Sequence, residues 1–383
     1  MGRMTWIYGA ALVVLLVLLA ISYGWYQHLA YLTGHVAVVA AQAGKQNHHV
    51  AANYASSLAG QADAARDWML AFFVASGTLI IGGFIEYVVL PLLSLSRVGA
   101  MTRVTYHEAF WQPFTLIALG LCVAAIGITA FVPFNTFGDD TKMYRDVALS
   151  FILMFVLVIM VFATGKVIDE EIENRTMLTL MSKPIARWQV IVGKYLGIIC
   201  LIFVSTAALT LLAGTCAWLR YFSDHKIDIQ AASFQGRQLL FWYNDQYMLA
   251  LIPAFVLQFM EVATLAAVST AIATRFGLAL NMTVIVLLYI AANLTRFVPL
   301  LNWPSPWQSL ANAVSYLLPY LSNFDLNQCL VYRHLTVGDH YIKGAPTYGQ
   351  VWRYTGLACT YGVFYIGAAL AVAVALFRNR ELT

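Results

Sequence analysis

GKVIDEEIENRTMLTLMSKPIARWQVIVGK, residues 165–194, is the stretch whose reading decides how this chain is organised. Four acids (Asp169, Glu170, Glu171, Glu173) and five bases (Lys166, Arg175, Lys183, Arg187, Lys194) stand between two long apolar runs. A central Asp, Lys or Arg costs roughly 2.5–3.5 kcal/mol in a bilayer even on the lenient insertion scale. The connector must therefore stand in water and fold against something there, while the runs on either side stay in hydrocarbon.

The rest of the chain fits that setting. Of 383 residues, 61% are hydrophobic and 10% are charged, and the mean hydropathy is +0.73. A soluble domain carries about 25% charged residues; this is a polytopic membrane protein. The net charge of +4 is small and spread out, so nucleic acid is not an expected partner. The five cysteines show no paired spacing, and neither a disulfide framework nor a metal site is indicated. Helices of about 20 apolar residues span a bilayer core. Eight segments qualify, at 5–23, 69–92, 113–133, 148–167, 190–218, 248–274, 278–298 and 352–377. The fold class is all-α, with eight transmembrane helices. The first run, Trp6–Tyr23, is long enough to span and lacks a clear cleavage site, so it is expected to be a retained span.

Basic residues near span ends set the orientation. With both termini in the cytoplasm, the 22 Lys and Arg divide into 11 inside and 11 outside. The inside segments total less than half the length of the outside ones, so basic density inside is about double. This places the 165–194 stretch in the cytoplasm.

The external segment 24–67 is rich in Ala, with Gly44 and Asn47 between two helix-compatible stretches. Such composition favours helix, so the first two spans are expected to continue outward as an antiparallel hairpin. Residues 95–112 mix Arg103, His107 and Glu108 with apolar side chains, as a helix lying at the interface does. The last external segment, 299–350, holds WPSPWQSLANAVSYLLPYLSNFDL. Its apolar run between prolines is too short to span, which predicts an interfacial or re-entrant element.

Within the central stretch, acids 169–173 begin where the fourth span leaves the membrane. Ser182 and Pro184 then suit the start of a new helix that runs through Arg187 and Trp188 into the fifth span. Lys194 is expected to snorkel at the interface. The pattern Glu171 or Glu173, Thr176, Leu180, Ser182, Pro184, Arg187, Gly193, Lys194 resembles the loop of the membrane permease subunits of ABC-2 exporters, an ATP-binding-cassette (ABC) class. Two further segments resemble that family, TRVTYHEAFWQP (102–113) its elbow helix and FRNREL (377–382) its closing signature. The resemblance covers about residues 95–383. It implies a six-span permease core over 94–383, with an elbow helix (95–112) carrying Arg103 and Glu108 and a coupling loop (167–190). Residues 1–93 are then two added spans with an external hairpin, a surface open to an external partner.

By the same resemblance the subunit pairs with a second permease copy and docks an ABC ATPase through Glu171, Glu173, Arg175, Thr176, Leu180, Pro184 and Arg187. The expected setting is the cytoplasmic (inner) membrane of a bacterium, in contact with its lipid. Gly165-Lys166 and Gly193-Lys194 lack the upstream Gly and the following Ser or Thr of a phosphate-binding loop. ATP and Mg are thus expected on a separate chain, with no cofactor on this one.

Two acids lie inside spans. Glu261 falls near the bilayer midplane and Glu86 nearer the cytoplasmic side, and intramembrane acids are functional candidates by default. Either one lines a path or the dimer interface, or it is a protonated carboxyl bonded to a neighbouring helix. Four histidines (His28, His35, His48, His49) lie in the hairpin with no acidic partner obviously placed for a metal. Two other classes stay open. A polytopic enzyme acting on lipid-linked substrates would need clustered acids, yet the external acids are scattered apart from Asp139-Asp140. A non-transporting anchor of an ABC-like mechanochemical complex would use the hairpin to hold an external partner.

Overall fold

Backbone amides in hydrocarbon must be satisfied within their own segment, so each apolar run closes as helix. The computed structural model describes residues 2–42, 45–132, 134, 140–173, 186–224, 234–300, 309, 318–332 and 346–378. Among them, eight helices are long and apolar enough to cross a membrane. These are Ala10–Leu29, Ala64–Leu93, Pro113–Phe131, Asp140–Ile168, Arg187–Tyr221, Met248–Ala273, Leu278–Val298 and Tyr348–Phe377. They are the eight runs read from the sequence.

The chain divides into two units, Met1–Phe84 and Ile85–Thr383. The first is a helical pair, α1 (Gly2–Gln42) and α2 (Lys45–Phe84). At 1.5 Å per residue, 40 residues reach about 60 Å, twice the thickness of a bilayer core. Leu29, Leu58 and Ala65 are buried between the two helices, flanked by Tyr26 and Leu32.

The second unit opens with a π-helical turn, Ile85–Val89, and a single helical turn α3 (Leu90–Leu93). The chain then doubles back into α4 (Arg97–Phe110), capped by the Ser96 hydroxyl, which accepts from Gly99 N at 3.0 Å. Gly99 is obligatory here: a Cβ would lie 1.8 Å from the Leu93 carbonyl oxygen. Pro113 opens α5 (Pro113–Phe131), where its missing N–H costs nothing. The Thr115 hydroxyl braces that corner by donating to the Ala109 carbonyl at 3.0 Å.

The remaining helices are α6 (Asp140–Glu173), α7 (Arg187–Asp224), α8 (Phe234–Ala273), α9 (Leu278–Leu294), α10 (Asn327–Tyr332) and α11 (Tyr348–Arg378). Of the spans, α8 is the most deeply buried. Its lower half supplies the reason: Ala263, Ala266, Ala267, Ser269, Thr270, Ala271 and Ala273 are small and buried, and small residues let helix backbones approach closely. Polar ties register the neighbours on it. Tyr195 of α7 donates to the Ala263 carbonyl at 3.2 Å, Gln258 Nε2 donates to Leu149 O of α6 at 2.9 Å, and Ser269 pairs with Asn281 of α9.

At the end of the bundle away from the 174–185 connection, buried Arg220 of α7 ties three helices together. Its Nη1 caps α5 by donating to Thr129 O and Ala130 O at 3.1 and 3.0 Å. Its other nitrogens face Asp140 at 3.6 Å and Asp224 at 3.5 Å. The guanidinium also lies 5.0 Å from the Phe134 ring centroid. Because both acids are partly exposed, water screens the pairing. Arg220→Met is expected to cost about 1–2 kcal/mol, seen as a lower thermal midpoint in detergent with the helical content intact.

Candidate functional site

The two legs of the central stretch are α6 and α7, and their base carries the densest set of constraints. α6 continues as helix through the acids to Glu173, so Glu171 and Glu173 lie on its last turn. Arg175, Thr176, Leu180, Ser182 and Pro184 lie outside the described residues. On the other leg, Ala186 is not helical and α7 starts at Arg187. The expected helix start at Ser182–Pro184 therefore does not belong to the helix that enters the fifth span. Gln189 performs the cap instead: its Oε1 accepts from Ala186 N at 3.1 Å, while Gln189 N donates to Ala186 O at 2.9 Å. This is the backward arm of a capping box. Arg187 and Trp188, next to that cap, are exposed.

Lys194 departs from its expected place. Rather than snorkelling to the interface, it is fully buried and donates from Nζ to the Val167 carbonyl of α6 at 2.8 Å. The physical reason is position: Lys194 faces α6, not the periphery, and a buried ammonium needs an acceptor, which the Val167 carbonyl supplies. The contact closes the loop at its base, 27 residues apart in sequence.

On a neighbouring face of α7, Gly193 and Gly197 bring α4 into backbone contact. A Cβ on Gly193 would lie 2.7 Å from Met101 Cβ and 2.8 Å from Val98 O. One on Gly197 would lie 2.7 Å from Thr105 Cβ and 2.8 Å from Thr102 O. This is small-xxx-small packing, in which the missing side chains set the distance between helices. Met101 then joins Val190, Ile191, Ala271, Ala373 and Phe377 in one buried cluster. Phe377 is the first residue of the closing motif; residues 379–383 lie outside the described set. Four segments far apart in sequence thus meet at one place: the 97–110 helix, the loop leg, the end of α8 and the C-terminal helix.

The opposite face of α4 is held electrostatically. Glu86, in the π-helical turn, lies 3.1 Å from His107 Nε2 and 3.9 Å from Arg103 Nη2. Two candidates chosen separately from sequence, Glu86 and Arg103, are therefore partners, with His107 one helical turn beyond Arg103 as the closer contact. Glu108 sits half-buried on the same helix. Glu261 does not belong to this base; it lies near the middle of the α8 span. Among the described residues, no group of three His, Cys, Asp or Glu is placed to hold a metal.

The sequence motif held Gly193 and Lys194, and His107 was read as part of the interfacial helix without its partner Glu86; Gly197 and Met101 were missed. The four-residue spacing of Gly193 and Gly197 in an apolar stretch was the available signal for the first. What the described residues do here is mechanical: they lock the loop base to a neighbouring helix.

Compared with family models, residues 1–382 match the family described as ABC-2 family transporter protein, a match that takes in the first two spans as well as the six that follow. A comparison with curated proteins finds no match.

Proposed function

Because this chain belongs to the ABC-2 transporter family, we propose that it is the permease subunit of an exporter, driven by a separate ATPase that docks on the central loop. It works as a dimer in the cytoplasmic membrane of a bacterium, with two ATPase copies that carry the ATP and Mg. Glu171, Glu173, Arg175, Thr176, Leu180, Pro184 and Arg187 form the docking surface. The observation that carries this reading is the loop base. Lys194 holds the legs together, and Gly193 and Gly197 fasten α7 to α4. A push on the loop therefore moves α6, α7 and α4 as one piece.

ATP shifts such an equilibrium only through contacts that differ between the two ATPase states. Closure of the ATPase pair supplies that difference by pressing on residues 169–188. The motion then passes from α7 through Tyr195 to α8, the central helix. A second reading is favoured by the roughly 60 Å length of α1 and α2: they reach well beyond a bilayer and suit an external partner, as in a mechanochemical anchor.

The test is purification in a native-like bilayer. An ABC ATPase is expected to co-purify, and Pro184→Ala with Glu173→Ala is expected to lower its hydrolysis about tenfold, the result of losing ~1.4 kcal/mol of docking. Turnover of a substrate by this chain with no ATPase bound would overturn the permease reading. Hydrolysis without transport, but with an external protein held at the hairpin, would favour the anchor.

A further inference from the structure

The segment at 318–332 returns into the bundle from the end opposite the loop. Leu321 and Phe324 are buried, at 0% and 2% exposure, in the same core as Met260, Ile285, Ala292 and Ala358. Gly362 of α11 makes room for it: a Cβ there would lie 3.2 Å from Phe324 Cζ. Gly362 is halfway along its span, Tyr348–Phe377, so Phe324 reaches the middle of the bundle. Two tyrosines of α11 hold the turn by its backbone. Tyr361 Oη accepts from Tyr320 N at 2.9 Å, and Tyr354 Oη donates to Asn323 O at 2.9 Å. Asp325 faces Arg296 at 3.9 Å and accepts from Asn327 N at 3.3 Å.

Beside this turn lie polar groups without partners. Glu261 is 4% exposed, and among the described residues no hydrogen bond or ion pair reaches its carboxyl. Gln258, one turn away on the same face of α8, spends its Nε2 on Leu149 O and leaves Oε1 buried and unmatched. The Ser322 hydroxyl, on the inserted turn, is also buried and unmatched. Tyr289 and Asp325 lie close enough to Glu261 to act on it electrostatically. Each unmet polar group costs about 1–3 kcal/mol at such depth. The unmatched set is rich in acceptors, and Asp325 is already engaged by Arg296. The Glu261 carboxyl is left without a cation among the described residues, and the rings of Phe324 and Tyr361, on the turn and on α11, lie 6.2 Å apart.

We propose that Glu261, Gln258 and Ser322 form a cargo-contact site for a primary ammonium group on an apolar body, covered by the turn Tyr320–Asp325. The carboxylate pairs with the ammonium, Oε1 and Oγ accept its remaining N–H bonds, and the aromatic faces receive the body and charge. Passage of cargo then requires the turn to leave its slot against Gly362. This proposal rests on the permease reading but is scored separately from it.

The experiment measures tryptamine binding to the full chain in phosphatidylcholine nanodiscs, with its ATPase wherever that co-purifies, against tryptophol, which replaces the amine by a hydroxyl. The wild type is expected to bind tryptamine at least tenfold more tightly, and Glu261→Gln to abolish that preference while Glu261→Asp keeps part of it. Should Glu261→Gln fail to assemble, Ser322→Ala is expected to weaken tryptamine several-fold and leave tryptophol unchanged. Adding phosphatidylethanolamine to the discs distinguishes sources: competition with tryptamine identifies a lipid headgroup, and no competition a soluble amine. Equal affinity for tryptamine and tryptophol in the wild type would overturn the site, leaving water as its occupant. That result with an ATPase bound defeats this inference alone, whereas an absent ATPase defeats the reading it rests on.

Discussion

Gly197→Val is expected to drive α4 away from α7 and to abolish coupled ATP hydrolysis in the assembled complex. The clash is with backbone: even a Cβ would lie 2.8 Å from Thr102 O, and a carbonyl in a helix cannot step aside as a flexible side chain can. Overpacking of a closed contact costs about 1–3 kcal/mol, and more when backbone must move; valine at this site is expected to reach the top of that range. Gly193→Ala is the milder version, meeting Val98 O at the same distance. Gly356→Ala is the control, since a Cβ there meets nothing within 4 Å and helix propensity favours alanine. Limited proteolysis around residues 94–96, together with ATPase rate, reads the outcome. Cleavage and lost activity are expected for Gly197→Val, and neither for Gly356→Ala. Wild-type behaviour of both would mean that α4 plays no part in coupling.

Lys194→Met is expected to separate stability from coupling. A hydrogen bond from a charged donor contributes about 1.5–3 kcal/mol, and the buried ammonium joins the loop legs by bonding Val167 O. Methionine keeps the length and most of the volume, so the bundle keeps its packing while the legs lose their tie. The expected result is a complex that still binds its ATPase but hydrolyses ATP without moving cargo, with the transport yield per ATP lowered roughly 10–100-fold, as 1.5–3 kcal/mol implies. An unchanged yield would show that the legs are held elsewhere. Loss of ATPase binding would show instead that Lys194 shapes the docking surface itself.

These contacts show what a linear sequence discloses and what it hides. The eight spans were legible because apolar run length is a local property set by bilayer thickness. The loop was legible for the converse reason, charge where charge cannot be buried. Lys194 misled because position alone puts a lysine near a span end, and snorkelling is the common solution there. Only the packing of α6 beside α7 offers it a buried carbonyl. The Glu86–His107 contact was hidden likewise: it depends on the chain reversing between Leu93 and Arg97, where Gly99 lets α4 pass close to Leu93. Glu261 was found as an intramembrane acid, but Asp325, which acts on it, comes from a segment more than 60 residues later. No periodicity reports that.

The central claim is mechanical: the loop base and α4 move as a single piece when the ATPase closes. Spin labels at exposed Arg187 on α7 and exposed Val104 on α4, in a background freed of the five native cysteines, measure it. A third label at Phe364, exposed on α11, supplies the reference. Between the nucleotide-free and ATP-trapped complexes, the 187–104 distance is expected to stay constant while the 187–364 distance changes by about 2 Å or more, the scale of helix shifts in switching proteins. A 187–104 distance that changes as much as 187–364, or a 187–364 distance that does not change at all, would contradict the claim.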